Sequence, residues 1–388
     1  MALSERIANI TPSLTLAVDA KAKAMIAAGE KVCGFGAGEP DFDTPEHIKE
    51  AAAKALKDGK TKYAPNDGIP DLRAAVAEKL NRENNMPYKP EQVLVSNGAK
   101  HSLFNIFMAI CRDGDEVIIP APYWLSYPEM VRVAGGKPVH INGPESRGLK
   151  ITAAELEASI TPRSRALIIN SPSNPTGAVY TPAELRDLAD VAVKHNLYII
   201  SDEVYEKMVY DGAVHASIGS FGPEVFKRTI TVNGFSKTYA MTGWRLGYFA
   251  GPIEVVKAAS ALQSHSTSAP NTFAQYGAVA ALRGPQACLA PMIKAFNERR
   301  DYLYKRLTAM PGVTCVKPAG AFYVLPNISA YGLDSLAFTA KLLEKEKVAV
   351  VPGVPFGVDA NIRLSYACHM DNIREGMDRL DRFMRNRG

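Results

Sequence analysis

The chain of 388 residues lacks several features that would assign it to a class of protein at once. No run of about 18 apolar residues occurs, so we expect no membrane-spanning helix. No dense basic block occurs, and Lys plus Arg and Asp plus Glu nearly balance at 45 and 40, which gives little support to nucleic-acid binding. The formal net charge of +5 is only weak evidence for anionic metabolites as ligands.

Cysteine is scarce, and no CxxC spacing occurs among Cys33, Cys111, Cys288, Cys315 and Cys368. Their odd number and apolar neighbours indicate buried free thiols in a reducing compartment. The first six residues contain no long apolar core, so we expect no signal peptide. We therefore predict a cytoplasmic protein.

Two common phosphate-binding motifs are also absent. The segment Gly98-Ala99-Lys100 lacks the G-x-x-x-x-G-K-[ST] spacing of a Walker A loop. The glycine-rich segment 34–38 lacks the last glycine of a dinucleotide fingerprint and is interrupted by Pro40, which leaves a plain turn or a close approach of the backbone to a ligand. A nicotinamide dehydrogenase is therefore a poorly supported alternative.

What is present is the composition of a globular protein, with 47% hydrophobic and 22% charged residues. Short apolar runs alternate with amphipathic helical patterns, with helix starts predicted at Thr44-Pro45-Glu46 and at the capping box 181–184. This alternation predicts an α/β fold whose mostly parallel sheet is sandwiched by helices. We predict an N-terminal arm (1–45) that packs with the small domain, a large domain (46–285) and a small α+β C-terminal domain (286–388).

Polar clusters follow four of the predicted strands, at 96–100, 170–174, 202–205 and 236–237. In parallel sheets, ligands bind beyond the carboxyl ends of the strands, so these clusters are expected to share one site.

The residue types in these clusters suggest particular chemistry. Lys237, directly after a strand, is either an ordinary loop lysine or an amine that forms a Schiff base. Asp202 caps a turn or pairs with a cationic ring nitrogen. Arg245 and Arg363 can each bind a carboxylate or phosphate with two nitrogens, and Gly98-Ala99-Lys100 begins a helix that can hold a phosphate. Together these groups describe a pyridoxal phosphate site.

Four segments, in order and spacing, resemble the class I aminotransferase family of fold-type-I pyridoxal phosphate enzymes: 171–177 (SPSNPTG), 201–205 (SDEVY), 236–245 (SKTYAMTGWR) and 363–366 (RLSY). The similarity covers nearly the whole chain. Segments 37–42 (AGEPDF) and 120–124 (PAPYW) resemble the bacterial and plastid-type aspartate aminotransferase subgroup.

The resemblance implies catalytic roles for Lys237, Asp202 and Tyr205. Lys237 would carry pyridoxal 5′-phosphate and move the proton between the substrate Cα and the cofactor C4′. Asp202 would keep the pyridine nitrogen protonated. Asn174 and Tyr205 would bond the ring hydroxyl, and Trp124 would stack on the ring. Taken singly, Trp124 and Tyr205 are typical core aromatics.

The resemblance also implies a phosphate site and a dimer. Ala99, Ser236 and Arg245 would bind the phosphate, with Gly98 shaping the turn. Tyr63, which alone is a typical surface tyrosine, would reach a phosphate across the interface of a homodimer with shared active sites. No metal is implied.

Substrate recognition is implied for a further set of residues. Arg363 would clamp the α-carboxylate, helped by the backbone at Gly38, with Trp124 and Asn174 beside it. Lys100, next to the phosphate turn, is either a solvated helix-start lysine or the cation for a second carboxylate. Ser13 and Thr15 in the arm would assist.

The expected reaction is amino transfer between L-aspartate and 2-oxoglutarate by a ping-pong mechanism. Prephenate or aromatic transamination and a β-lyase activity stay open as alternatives. Thr15 and Lys100 fit prephenate, whereas Thr11 stands where many relatives that accept prephenate have lysine. A non-catalytic regulator needs an appended DNA-binding module, for which we find no room before Gly34.

Overall fold

The computed structural model describes residues 4–8 and 10–386. Its strands, in chain order, are β1 (Cys33–Gly34), β2 (Val93–Ser96), β3 (Glu116–Ala121), β4 (Lys137–Asn142), β5 (Ser164–Asn170), β6 (Tyr198–Asp202), β7 (Thr229–Gly234), β8 (Gly247–Ala250), β9 (Tyr323–Val324), β10 (Val348–Ala349), β11 (Val351–Pro352) and β12 (Ile362–Ser365).

Seven of these strands form the central sheet, in the order β2-β8-β7-β6-β5-β3-β4. Strand β8 is antiparallel to both of its neighbours, and the other neighbouring pairs are parallel. The prediction of an α/β fold with a mostly parallel sheet is confirmed. The carboxyl ends of β2, β5, β6 and β7 therefore lie along one edge.

The helices are α1 (Glu5–Ala8), α2 (Leu14–Ala27), α3 (Glu46–Lys57), α4 (Pro70–Asn84), α5 (Ala99–Ile110), α6 (Ser126–Val133), α7 (Ala153–Ser159), α8 (Pro182–Lys194), α9 (Pro223–Phe226), α10 (Ile253–Ser264), α11 (Thr272–Arg283), α12 (Leu289–Thr308), α13 (Ser335–Glu346) and α14 (Met370–Arg385). Among the described residues, none of the helices has both the length and the apolar character needed to cross a membrane.

Helices cover both faces of the sheet because successive strand residues point to opposite sides. In β5, Ile168 packs into the apolar layer formed with α5, α6 and α10. Its neighbours Leu167 and Ile169 pack into the opposite layer, which includes Leu185 and Leu188 of α8. Strands buried on both faces read as continuous apolar runs, which is why the sequence predicted them.

Outside the central sheet, the chain brings its N-terminal segment against its C-terminal region. Strand β1 pairs in parallel with β10, and Ala22 of α2 packs against Leu343 and Ala349. A three-stranded sheet, β11-β12-β9, carries Arg363. The domain boundaries at 45 and 285 stay a prediction.

Two local predictions need comment. The capping box at 181–184 is confirmed, since the Thr181 side chain accepts from Glu184 N at the start of α8. The prediction of Thr44 as an N-cap is wrong, because Pro45 occupies that position in α3. The Thr44 hydroxyl donates to Ala240 O at 2.7 Å and accepts from Trp244 Nε1 at 3.1 Å, so long-range partners replace the cap.

Candidate active site

A cavity of about 310 Å³ lies where the polar ends of β5, β6 and β7 meet the N-terminal segment and β12. Thirteen of the residues predicted for the site line it: Ser13, Thr15, Gly38, Ala99, Lys100, Trp124, Asn174, Asp202, Tyr205, Ser236, Lys237, Arg245 and Arg363. Residues as distant in sequence as Ser13 and Arg363 thus face one volume, which makes this cavity the candidate active site.

Lys237 enters the cavity because the buried strand β7 ends at Gly234 and the buried Phe235 ring anchors the turn that follows. Its Nζ donates a hydrogen bond to Gly38 O. Burial, together with the nearby cations Arg245, Arg363 and Lys100, lowers the pKa of Lys237 to about 8, and Glu39 acts in the opposite direction. A lysine with such a pKa is partly neutral near pH 7–8, as a nucleophile or base must be.

Asp202 ends β6 and is buried, with 4% of its surface exposed. Tyr127 Oη donates to its Oδ2 at 2.6 Å, and Asn170 Nδ2 donates to its main-chain oxygen at 2.9 Å. Burial raises the pKa of Asp202 to about 6, although the bond from Tyr127 acts in the opposite direction. A buried carboxylate in such a cavity is well placed to bind a cationic group of a ligand.

The turn between β2 and α5 is shaped for close contact. Gly98 has φ 84°, and a Cβ there would lie 2.8 Å from Nη2 of Arg245, so only glycine fits. Arg245 is itself held by a bond from Nη1 to Thr242 O at 2.9 Å. The amino terminus of α5, the arginine and the nearby Ser236 hydroxyl together favour an anion.

Arg363 is a buried cation, with 2% of its surface exposed. Its Nη1 donates to Asn174 Oδ1 at 3.0 Å and its Nη2 to Gly36 O at 2.8 Å, while Nε is buried without a partner. In the described part of the chain it forms no salt bridge, and burial lowers its pKa. The Tyr323 ring lies 4.6 Å from the guanidinium carbon. An unneutralised, buried guanidinium at a cavity is suited to a carboxylate.

Aromatic side chains complete the walls. Tyr205 Oη and Tyr323 Oη lie 3.0 Å apart, and both residues are buried. Trp124 packs edge-to-face on Tyr127, with ring centroids 5.3 Å apart. Lys100 Nζ lies 5.0 Å from the centre of the Trp124 ring, and partial burial together with Arg245 lowers the lysine pKa. Lys100 is thus a solvent-exposed cation that lies beside the Trp124 ring at the cavity wall.

The N-terminal arm contributes the first turn of α2. Ser13 is the N-cap of this helix, and its side chain accepts from Leu16 N at 3.4 Å. The Thr15 hydroxyl is buried without a partner, and both residues line the cavity. An unpaired hydroxyl at this position is available to a polar ligand.

Two predicted site residues lie outside this cavity. Gly98 shapes the turn directly behind the cavity wall at Ala99. Tyr63 is fully exposed, at 100%, and lies on a different surface, near Pro270 and Phe273. Within a single chain, Tyr63 cannot act on the cavity.

Sequence reasoning missed Tyr127 and Tyr323, although both line the cavity. Asn170, which also lines it, belongs to the predicted cluster 170–174 but was given no role of its own; it ends β5, and its Oδ1 accepts from Asn174 N at 2.8 Å. Tyr127 and Tyr323 carry no such signal, because a tyrosine among apolar residues is typical of a core.

Comparison with known proteins assigns this chain to a family. The family model "Aminotransferase class I and II" matches residues 30–380. An aspartate aminotransferase of Geobacillus stearothermophilus is 50% identical over 392 residues, covering 100% of both chains. A probable aspartate/prephenate aminotransferase of Aquifex aeolicus is also 50% identical, over 97% of each chain.

A solved structure supports the same grouping. An aspartate aminotransferase from Thermus thermophilus with maleate superposes with a TM-score of 0.95 at 47% identity, covering 98% of this chain and 99% of the other. The fold of the two proteins is therefore the same across essentially their full length.

Proposed function

The chain belongs to the class I and II aminotransferases, and from that membership we propose that it moves an amino group between L-aspartate and 2-oxoglutarate, with pyridoxal 5′-phosphate as cofactor. The observation that carries this proposal is the buried Arg363, whose Nε has no partner, in the same cavity as the half-neutral amine of Lys237. Together they can hold an amino acid by its carboxylate and react with it at the adjacent carbon.

The residues present fit pyridoxal phosphate. The turn at Gly98 has a backbone conformation that favours glycine, and the start of α5, Ser236 and Arg245 offer donors for a phosphate. Asp202, buried and bonded by Tyr127, supplies the carboxylate that a protonated pyridine nitrogen needs. The site thus favours an anion at one end and a cation at the other, which matches the anionic phosphate and the protonated ring nitrogen of this cofactor.

When bound, pyridoxal phosphate supplies a carbonyl carbon that takes up the amino group and a ring that accepts electrons from the substrate Cα. Lys237 would hold the cofactor through Nζ and, once the substrate amine has replaced it, accept the proton from Cα. The pKa of about 8 suits that task, because the free amine must be neutral to take the proton.

The remaining residues orient the reactants. Asn174 and Tyr205 lie at the ends of β5 and β6 and can bond the ring hydroxyl, while Trp124 offers a ring face for stacking. Arg363 would bind the α-carboxylate, with the backbone at Gly38 beside it. These contacts would fix the Cα–H bond relative to Lys237, and such orientation lowers the activation barrier more than binding alone does.

Lys100 is proposed as the cation for the second carboxylate, with Ser13 and Thr15 supplying hydroxyls. Its ammonium lies over the Trp124 ring, and the residue lines the cavity at its solvent-exposed side. The Thermus thermophilus relative was solved with maleate, a dicarboxylate, which supports a second cation in sites of this kind. The arm that carries the hydroxyls would also exclude water when substrate is bound.

We propose further that the enzyme is a cytoplasmic homodimer. Tyr63 is fully exposed, and in such a dimer it would find its partner in the phosphate of the other subunit. Each active site would then contain residues of both subunits.

Prephenate is the second candidate substrate, because the Aquifex aeolicus relative is named for both activities. Prephenate also carries two carboxylates, so the same cations would serve. The Thr15 hydroxyl, buried and unpartnered, is available to its polar groups.

Two measurements test the proposed function. Borohydride reduction of the holoenzyme followed by peptide mapping should label Lys237, and a label elsewhere or none would refute the cofactor assignment. Half-reaction spectra with a panel of amino donors should show aspartate and glutamate reacting fastest. Faster reaction of aromatic or neutral donors would instead refute the dicarboxylate assignment, and prephenate tested as the acceptor decides between the two substrates.

A further inference from the structure

Gln263, near the end of α10, is a fully buried amide that uses all four of its hydrogen-bonding positions. Its Nε2 donates to Asn66 O at 3.0 Å and to Val95 O at 2.9 Å. Its Oε1 accepts from Ser96 Oγ and from Asn105 Nδ2, both at 3.1 Å. An amide with two donors and two acceptors satisfied is held in one orientation, since a flip would set its oxygen against two carbonyls.

The four partners belong to two different parts of the proposed cofactor site. Ser96 ends β2, directly before the turn at Gly98, and Asn105 lies in α5, the helix whose amino terminus faces the cavity. Asn66 lies in the loop that carries Tyr63. Gln263 therefore connects the proposed phosphate turn to the loop that carries the exposed Tyr63.

The loop itself is firmly anchored below its exposed tip. Thr272 Oγ1 donates to Lys62 O at 2.7 Å, and Val95 N donates to Asp67 O at 3.1 Å. Asn66 Nδ2 donates to Ser260 Oγ at 2.9 Å, one turn before Gln263 on the same face of α10. Main-chain groups on both sides of Tyr63 are thus fixed while its ring stays free, which is the arrangement of a preorganised contact.

We propose that Gln263 is a positioning residue for phosphate recognition. It fixes the phosphate turn of its own subunit relative to the Tyr63 loop, which contributes to the phosphate site of the partner subunit. This inference rests on the proposed function, because it requires a phosphorylated cofactor and a dimer. One amide would thus fix the positions of both parts of the phosphate site: the turn at Gly98 and the loop that carries Tyr63.

The test compares two ligands that differ only in the phosphate. Apo-protein is titrated with pyridoxal 5′-phosphate and with pyridoxal, and binding is followed by absorbance. For Gln263→Met, which keeps the length of the side chain and removes all four bonds, we expect the preference for the phosphorylated ligand to fall about tenfold or more. Affinity for pyridoxal should stay within about threefold, because Lys237 and Asp202 are untouched.

The matched control is Tyr88→Phe. Tyr88 is also buried, and its hydroxyl donates to Thr229 O at 3.0 Å, at the amino end of β7 and away from both the phosphate turn and the Tyr63 loop. We expect it to lower the melting temperature while leaving the ligand preference unchanged. If Gln263→Met weakens both ligands equally, or if the control shifts the preference as much, the inference is overturned.

A milder variant covers the case in which Gln263→Met does not fold. Ser96→Ala removes a single donor to Oε1 and should shift the same preference by about two- to fourfold. An unchanged preference in a Ser96→Ala protein would then refute the inference.

A double-mutant cycle tests the link to the loop. Tyr63→Phe and Gln263→Met should lose phosphate preference non-additively, because the second change removes the positioning on which the first depends. Additive losses would show that the amide does not act on the loop. If the wild-type protein bound neither ligand at Lys237, the proposed function itself would fail, and that outcome is seen before any variant is compared.

Discussion

Several single residues at the cavity lie in environments that disfavour their charged forms. Burial lowers the pKa of Lys237 and of Arg363, and it raises the pKa of Asp202. Each of these residues costs the empty protein stability, and each would gain a partner when the proposed ligands bind. Buried ionisable groups that destabilise the empty protein at a binding cavity are typical of catalytic sites.

The first prediction concerns the pH dependence of stability in the apo-protein. Lys237 has a folded-state pKa of about 8 against 10.5 in the unfolded chain, so the unfolded state binds more protons between these values. Stability should therefore rise as pH rises from about 8 to 10.5, and the penalty is fully present below pH 8. Lys237→Met should be more stable than the wild type by roughly 2–3 kcal/mol at pH 7 and should lack this rise.

Urea unfolding of the apo-protein across this pH range measures the effect. The exposed Lys341, changed to methionine, is the matched control and should leave the pH profile unchanged. A Lys237→Met protein that is less stable than the wild type at pH 7 would contradict the prediction.

The second prediction concerns Lys100. Lys100→Ala should lower kcat/KM for aspartate by about 10- to 100-fold, because a charge-assisted bond to the second carboxylate is lost. Alanine as donor should lose less than about threefold, since it has no second carboxylate. Lys100→Arg should restore part of the loss, and an equal loss for both donors would remove the role assigned to Lys100.

The turn that follows β6 shows how one element serves two sides of the sheet. Asp202 faces the cavity, whereas Glu203 and Glu206 face a buried network on the other side. Glu206 pairs there with Lys79 of α4, and Glu203 accepts from Ser217 Oγ at 2.7 Å. Asp202 at the end of β6 is thus followed by a turn that buried charged groups anchor.

The third prediction concerns that anchor. Burial alone would raise the pKa of Glu206, but Lys79, His215 and Lys207 lower it to about 2. Lys79→Met leaves the carboxylate buried without its main partner and should cost about 3–5 kcal/mol in unfolding free energy. Removing both charges, as in Lys79→Met with Glu206→Leu, should recover most of this cost.

Denaturant unfolding at pH 7 measures these variants. Lys227→Met is the control, since Lys227 pairs with Glu224 at the surface and its loss should cost less than about 1 kcal/mol. The prediction fails if the double variant is no more stable than Lys79→Met alone.

The elements differ in how well the sequence predicted them. The buried strands β5, β6 and β7 were predictable because each is a continuous apolar run bounded by polar residues. Strand β4 was not, because it is an edge strand whose residues alternate between exposed and half-buried. The Thr44 hydroxyl found partners 196 and 200 residues away, and no local rule contains such contacts.

The candidate site shows the same limit. Residues next to strand ends were predictable from position alone, and the ordered motifs added Arg363. Tyr127 and Tyr323 were not, since their importance lies in hydroxyls that meet Asp202 and Tyr205 only after folding. Pairing across 75 and 118 residues depends on packing, which sequence patterns do not encode locally.

At the scale of the whole molecule, three regions of the chain enclose the cavity: the arm, the edge of the central sheet and the three-stranded sheet. One surface needed by the proposal, that around Tyr63, lies outside this enclosure. The proposed function therefore requires that a second subunit bring its Tyr63 to the cavity.

The fourth prediction tests this pairing by subunit complementation. A Tyr63→Ala protein should bind pyridoxal phosphate about tenfold more weakly than the wild type. When it is mixed with a Lys237→Ala protein, the hybrid has one site with Lys237 from the first subunit and Tyr63 of the partner subunit, and that site should regain wild-type affinity.

The control mixture replaces the second protein with a Tyr63→Ala/Lys237→Ala double variant, which has no tyrosine to contribute. Restoration in both mixtures, or in neither, would contradict the assignment of Tyr63 to a shared site. Size-exclusion chromatography of each protein checks that the dimer is intact.

The hydrogen bonds of Arg363 have a consequence for the speed of turnover. In the empty protein, Asn174 Oδ1 and Gly36 O occupy two of its nitrogens. An incoming carboxylate would displace these two oxygens, and they would bind again when the carboxylate leaves. The guanidinium therefore keeps hydrogen-bond acceptors throughout the cycle. This competition lowers the net affinity for any one carboxylate. Lower affinity speeds the release of one 2-oxo acid and the binding of the next, which the proposed reaction requires in every cycle.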